Sequence, residues 1–422
     1  MSVAAGWRPP EVRRLAGGLT VGLVERRQAP VVSTVVCYRA GAAAEPAEHA
    51  GIAHFLEHMM FKGSAGYGPG EVDRITQSLG GANNAYTGHD ATLYQFSFAA
   101  DRWLEALSIE ADRMAGLRLE PREVEAEREV ILEEMAMVED DPWDALELAV
   151  LAEFYGDHVY ARPVIGGRKS LRRIGGGELA EFHRRHYRPD GAVLVVAGDV
   201  GEEAFAAIAD RFTTAGTPAD RPAGADGAGA ALSVGRPRRR IELRRGEVAR
   251  LLVALPAPPA GADGYAELRV VLTALTGGRS SRLHRLLVEE HRLCSSVGAE
   301  IDETVGPGVA FLACELLPGT SPAEVEERLL AELQRLAGGG LGADEIARAR
   351  RLLVADWVFS RETVGQEALA TASAIALFDA EHERRHLERI ESCSGDGLGH
   401  AAAVHLAAGE LLIGWSLPEE ES

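Results

Sequence analysis

Cysteine is scarce in this 422-residue chain, which has four. Cys37, Cys294, Cys314 and Cys393 lie far apart and form no CxxC pair. That spacing suggests neither a disulfide framework nor a cysteine-built zinc knot and fits a reducing compartment. Basic charge is in short supply too. Against 64 Asp and Glu stand 44 Lys and Arg, a net charge of -20, which opposes binding to phosphate backbones and anionic membrane surfaces. Long apolar runs are missing: nothing approaches the roughly 20 residues that span a bilayer. The opening MSVAAGWRPPEVRRLAGG has no apolar core of the kind found in a secretory signal. The expectation is a soluble, cytoplasmic protein with no nucleic-acid or membrane partner.

What is present is enough for a sizeable interior. With 46% hydrophobic residues, a chain of this length outgrows one core, and two domains of about 200 residues each are expected. The segment 213–240, TTAGTPADRPAGADGAGAALSVGRPRRR, is rich in Gly, Ala and Pro without apolar periodicity. It reads as a linker between a domain at 1–212 and another at 241–422. In the first half, LTVGLVE and VVSTVVCYRA read as strands joined by a polar turn at 26–30, with further strands at 91–99 and 191–199. WLEALSIEADRMAGL, EVEAEREVILEEMAMVE and ELAEFHRRHY have helical spacing. Strands and helices mix without strict βαβ alternation, which predicts an α+β fold.

Beyond residue 240 the pattern recurs. VARLLVALPAP, SSVGAEID and VAFLACELL read as strands, and YAELRVVLTALTGG and PAEVEERLLAELQRLAG as helices. The long helix ADEIARARRLLVADWVFS parallels PREVEAEREVILEEMAMVE. The halves read as a diverged internal duplication.

Only the first half contains His54-Phe55-Leu56-Glu57-His58, which points to one active site per chain. On a helix, histidines four apart share a face and can share a tetrahedral metal. This is the H-x-x-E-H order, an inverted form of the H-E-x-x-H zinc motif. Glu57 is the candidate base that takes a proton from a metal-bound water. Two histidines four apart are commonly just a hydrogen-bonded pair. Here apolar Phe55, Leu56, Met59, Met60 and Phe61 would half bury them, which is costly without strong partners. A third ligand must come from elsewhere. The run 127–134 offers carboxylates opposite an apolar face of Val130, Ile131, Met135 and Val138, and Glu127 and Glu134 are two turns apart on one face.

Gly51-Ile-Ala-His-Phe-Leu-Glu-His-Met-Met-Phe-Lys-Gly63, Gly80-Gly-Ala-Asn-Asn-Ala-Tyr-Thr87 and Glu127-Arg-Glu-Val-Ile-Leu-Glu-Glu134 together resemble the pitrilysin or insulinase-like zinc peptidases, which include mitochondrial processing peptidase. The resemblance covers essentially the whole chain. It implies two homologous α/β-sandwich domains, a duplicated metalloprotease arranged as a clamshell half around enclosed peptides, with one Zn2+ per chain. By the family's spacing the third ligand is Glu134, in preference to Glu133. Glu127 matches an additional essential glutamate, suited to orienting a histidine ligand. Asn84 and Ala85 match the edge-strand segment that binds an extended peptide by strand addition.

One departure stands out. Family members carry an arginine and a tyrosine, seven apart, in the second half, where they hold substrate and stabilise the oxyanion. Val288 and Ser295 occupy those positions here. Arg285 and Arg292 lie nearby and read as helix-surface charges. Some bacterial relatives divide the motifs between two half-length chains. The resemblance therefore implies the zinc-bearing chain of a heterodimer, with a homodimer or a non-catalytic scaffold subunit as alternatives.

Overall fold

The computed structural model describes residues 3–212, 239–407 and 411–419. Its strands form two sheets. The first contains β1 (Glu11–Arg14), β2 (Thr20–Glu25), β3 (Val31–Tyr38), β4 (Ala82–Thr87), β5 (Thr92–Ala99) and β6 (Ala192–Gly198), in the order β1-β2-β6-β3-β5-β4. The second contains β7 (Arg239–Arg244), β8 (Arg250–Ala257), β9 (Cys294–Ile301), β10 (Gly308–Leu316) and β11 (Leu412–Leu417), in the order β7-β11-β8-β10-β9. Without β1 the two orders superimpose strand for strand. Each has one parallel pair, β2 with β6 and β7 with β11, and is otherwise antiparallel. Shared order and shared sense are what a duplication leaves behind.

Non-local pairing decided what a local reading could not. The polar turn joins β2 to β3, yet the two do not form a hairpin, because β6 lies between them and pairs with both. Most of the expected linker, 213–238, lies outside the described residues. Its last two residues, Arg239 and Arg240, already belong to β7 and pair with Leu412 and Ile413. Strand formation there follows from a partner that arrives more than 170 positions later, which composition cannot show.

Both faces of each sheet are covered, so central strands read as nearly unbroken apolar runs. On β3, Val32, Val36 and Tyr38 join the core beneath the helices of the first half, whereas Val35 and Cys37 join a second cluster. That second cluster is closed by Ala368, Ala372, Ile375 and Ala376 of helix Val364–Leu377, from the far half of the sequence. The reciprocal contact is made by helix Pro142–Tyr155 of the first half. Its Leu146, Val150 and Phe154 pack on Leu252, Ala254, Phe311 and Leu412 of the second sheet. Gly414 permits this approach, since a Cβ there would lie 2.5 Å from Val150 Cγ2. Each large aliphatic side chain buried in these crossings is worth about 1.5–3 kcal/mol. The halves are thus interlocked by exchanged helices.

The two sheets are also pinned at their turns. The Tyr160 hydroxyl donates to Asp90 Oδ1 (2.6 Å), and the Gly306 and Val305 amides donate to the Tyr160 hydroxyl (3.0 Å) and Asp90 Oδ2 (2.9 Å). The turn between β9 and β10 is thereby fixed to the turn between β4 and β5.

Candidate metal centre

The motif helix, Ile52–Met59, is short and depends on tertiary support. Ile52, Ala53, Phe55, Leu56 and Met59 are all buried on its core side. Its first turn would leave amides unpaired in the interior, and Glu45 supplies the acceptors: its two carboxylate oxygens take the Gly51 and Ala53 N–H groups, each at 2.8 Å. Burial pushes Glu45 up to about 7 against those hydrogen bonds. Gly51 precedes the helix at φ 96°, with Ile165 O only 2.7 Å from where a Cβ would stand, so the position demands glycine.

The partner helix, Pro121–Asp140, starts on a proline in its first turn and buries Val124, Glu127, Arg128, Ile131 and Met135. Arg128 reaches across to donate to the Ile174 carbonyl at 2.7 Å. The expected apolar face holds at Ile131 and Met135. It fails at Val130, which is 46% exposed. Two turns apart, Glu127 and Glu134 face the motif helix with different surroundings: Glu127 is 8% exposed and Glu134 42%.

The two helices bring three ligand atoms together. His54 Nε2 lies 3.7 Å from Glu134 Oε1, and His58 Nε2 lies 3.6 Å from Glu134 Oε2. Among the described residues this is the one group of three or more His, Cys, Asp or Glu that could hold a metal ion, its ligand atoms all within 4.8 Å of one another. Two imidazoles and one carboxylate are a donor set that suits zinc, and each histidine nitrogen lies near a different oxygen of Glu134. Glu133, by contrast, is on the exposed side of the helix.

The surroundings prepare the donors. His58 Nδ1 donates to Glu127 Oε1 at 2.8 Å, so that in the neutral ring Nε2, on the Glu134 side, is the nitrogen free to ligate. Burial alone would depress His58, but the Glu127 hydrogen bond and the surrounding carboxylate charges outweigh it and raise its pKa. Burial, then His58, pull His54 down to about 4, keeping it neutral as a ligand must be. Its Nδ1 is buried with no partner among the described residues, so packing orients it. Glu127 is drawn below the ordinary range despite its burial, by hydrogen bonds from His58 and from Lys62, whose Nζ lies 2.5 Å from Oε2.

Glu57 projects beside this cluster. Burial raises its pKa, and the Thr87 hydroxyl, which donates to Oε2, opposes that rise. Thr87 ends β4, the strand that carries Asn84 and Ala85. Asn84 is exposed, and Ala85 is half-buried against the first core. Lys62 and Thr87 lie within the runs that carry the resemblance and Glu45 just before them, but none was assigned a role, because each acts through contacts that only the fold sets.

The second half presents a different picture. Val288 lies in a π-helical turn, His284–Glu290, and packs on the second core, while Ser295 begins the exposed edge of β9 and donates to Glu315. Arg285 pairs with Glu290 on the surface (3.3 Å). Another histidine pair, His382-Glu383-Arg384-Arg385-His386, has the H-E-x-x-H order yet is not assembled as a metal site. Arg269 Nη1 lies 3.0 Å from His386 Nε2, and Glu383 is engaged by Arg361 and by Trp357 Nε1 (3.0 Å).

Comparison with known proteins identifies the family. Residues 20–168 match the family described as Insulinase (Peptidase family M16), and 174–353 match the Peptidase M16 inactive domain. A Mycobacterium leprae protein named as an uncharacterized zinc protease is 33% identical over 80% of this chain and 75% of its own length. A Helicobacter pylori protease has the same fold, with a TM-score of 0.91 at 22% identity over 97% of this chain and all of that one. The periplasmic protease PqqL from Escherichia coli matches 98% of this chain with 48% of its own, at a TM-score of 0.76 and 20% identity. With both halves matched and the M. leprae zinc protease aligned over most of its length, the chain belongs to the insulinase family of peptidases, family M16.

Proposed function

We propose that this chain is a zinc-dependent endopeptidase that hydrolyses peptides or small unfolded proteins. The observation that carries the reading is the convergence of His54, His58 and Glu134 beside the buried carboxylate of Glu57. One zinc ion held by those three side chains would polarise a water and a peptide carbonyl. Glu57 would accept the proton as the water attacks, and Thr87 holds one of its two oxygens, leaving the other to take that proton. Glu127 holds His58 in the ligating tautomer, and Lys62 in turn holds Glu127. Asn84 and Ala85 lie on β4, the last strand of its sheet, whose outer edge can pair with an extended peptide.

The second half supplies no counterpart to an oxyanion donor at Val288 or Ser295. We propose that a homologous partner chain brings the arginine and tyrosine, forming an enclosed chamber, and that the assembly works in the cytoplasm. PqqL, which is about twice as long as the segment it shares with this chain, is consistent with two such units acting together. Loss of one oxyanion donor costs about 10²–10³ in rate, so the chain alone should be nearly inactive. Assaying quenched peptides with the chain alone, then with a homologous chain bearing the pair, tests this; full activity alone contradicts the partner reading. A native fold that takes up no zinc would leave only a scaffold role.

A further inference from the structure

Strand β4 divides its side chains between two faces. Asn83 donates to Asp73 Oδ1 (2.9 Å), Ala85 packs on the first core and Thr87 holds Glu57, so these three turn toward the helices of the first half. Ala82, Asn84 and Tyr86 therefore turn to the opposite face, where their register neighbours are Ser97, Gln95 and Leu93. On that face helix Val364–Leu377 begins and leaves a groove of about 430 Å³. Its lining includes Asn84, Gln95, Ser97, Val364, Gln366 and Leu369, and no lining residue is charged. In a chain of net charge -20 such a surface is distinctive.

A peptide laid against the free edge of β4 sends alternate side chains to each face of the sheet. Those on the Asn84 face enter this groove. A Lys or Glu side chain would lose water there without finding an opposite charge, whereas a Leu or Phe would cover Val364 and the 38%-exposed Leu369. We infer that the groove between β4 and the start of helix 364–377 is a substrate side-chain subsite selecting an apolar residue. This rests on β4 as the strand that receives the peptide.

The test uses the zinc-loaded full-length chain carrying Glu57→Gln, so that binding is read without turnover. Fluorescein-labelled, otherwise uncharged decapeptides are swept through Leu, Phe, Lys and Glu at each position, and affinity is measured by anisotropy. One position should favour Leu or Phe over Lys and Glu by about tenfold or more, a desolvation-scale difference. Adding Leu369→Glu should reverse that preference toward Lys at the same position, with zinc content unchanged. Gln366→Glu, which keeps the acceptor for the Thr363 amide, should do the same more weakly. Equal binding at every position, or a preference that survives both variants, overturns the subsite while leaving β4 as the peptide strand. If no peptide binds, both readings fall.

Discussion

The two halves share a sheet order and differ in what they do with its last strand. In the first, edge strand β4 runs beside the motif helix, and its terminal Thr87 touches Glu57. In the second, edge strand β9 runs beside a π-helical turn whose Val288 faces inward, and the Ser295 hydroxyl donates to Glu315 of the neighbouring strand. Among the described residues, one duplicated frame therefore presents a cluster of donors on one side and an edge without such a cluster on the other. The lesson is that the sheet supplies position while a few side chains on one helix and one strand supply chemistry. The exchanged helices make the halves interdependent, so the second half still supports the other sheet through Ala368, Ala372 and Ile375.

The contrast breaks most completely if the motif helix loses a donor. His58→Ala should remove bound zinc and reduce any peptide hydrolysis to background, measured by metal analysis and a quenched-peptide assay. Retained activity would mean that the chemistry lies elsewhere. Next comes Glu57→Gln, which should keep the metal and lower kcat by about 10²–10⁴, the range for a removed proton acceptor. Normal turnover would reassign the base. Thr87→Val, which removes one hydroxyl at constant shape, should lower kcat by about tenfold with zinc content and KM unchanged, and Thr87→Ser should restore it. Equal losses in both variants would make Thr87 merely structural.

Much of this was legible from residues alone. The motif helix could be read because the apolar positions flanking His54 and His58 pack as their spacing demands, at Phe55, Leu56 and Met59. The recurrence of strands and helices after residue 240 foretold two sheets of one design. Glu134 was singled out by family spacing, since an acidic helix offers several carboxylates and geometry chooses among them only when the second helix is in place. The insertion of β6 between β2 and β3, and the crossing of helices 142–155 and 364–377, depend on contacts far apart in sequence, which local periodicity does not encode. His382 and His386 show the converse: a motif spacing on a helix is no site when Arg269 sits against one of its nitrogens.

Two stability experiments sharpen the comparison at smaller scale. On the metal-bearing side, Gly51→Ala forces a left-handed residue and a 2.7 Å approach to Ile165 O. It should cost about 2–3 kcal/mol by thermal or denaturant unfolding and loosen zinc, because the motif helix begins there. In the second half, hydrogen bonds from Arg282 lead the lowering of Glu345 from 4.5 to about 2, against the opposing effect of burial. A carboxylate with a depressed folded-state value contributes stability that is complete above 4.5 and lost as pH falls through 2. Glu345→Gln should therefore cost about 1–2 kcal/mol near pH 7, discounted for partial exposure. That gap should close as the pH falls from 4.5 toward 2, without any change in zinc content. A gap that persists at the acidic end would assign the effect to packing.

The most direct test of the central claim is the zinc content of the purified chain beside Glu134→Gln and Glu133→Gln, measured by elemental analysis after exhaustive dialysis. The account predicts about one zinc per chain in the parent and in Glu133→Gln, and a loss of most of it in Glu134→Gln. A zinc-free parent, or full occupancy in Glu134→Gln, would contradict it.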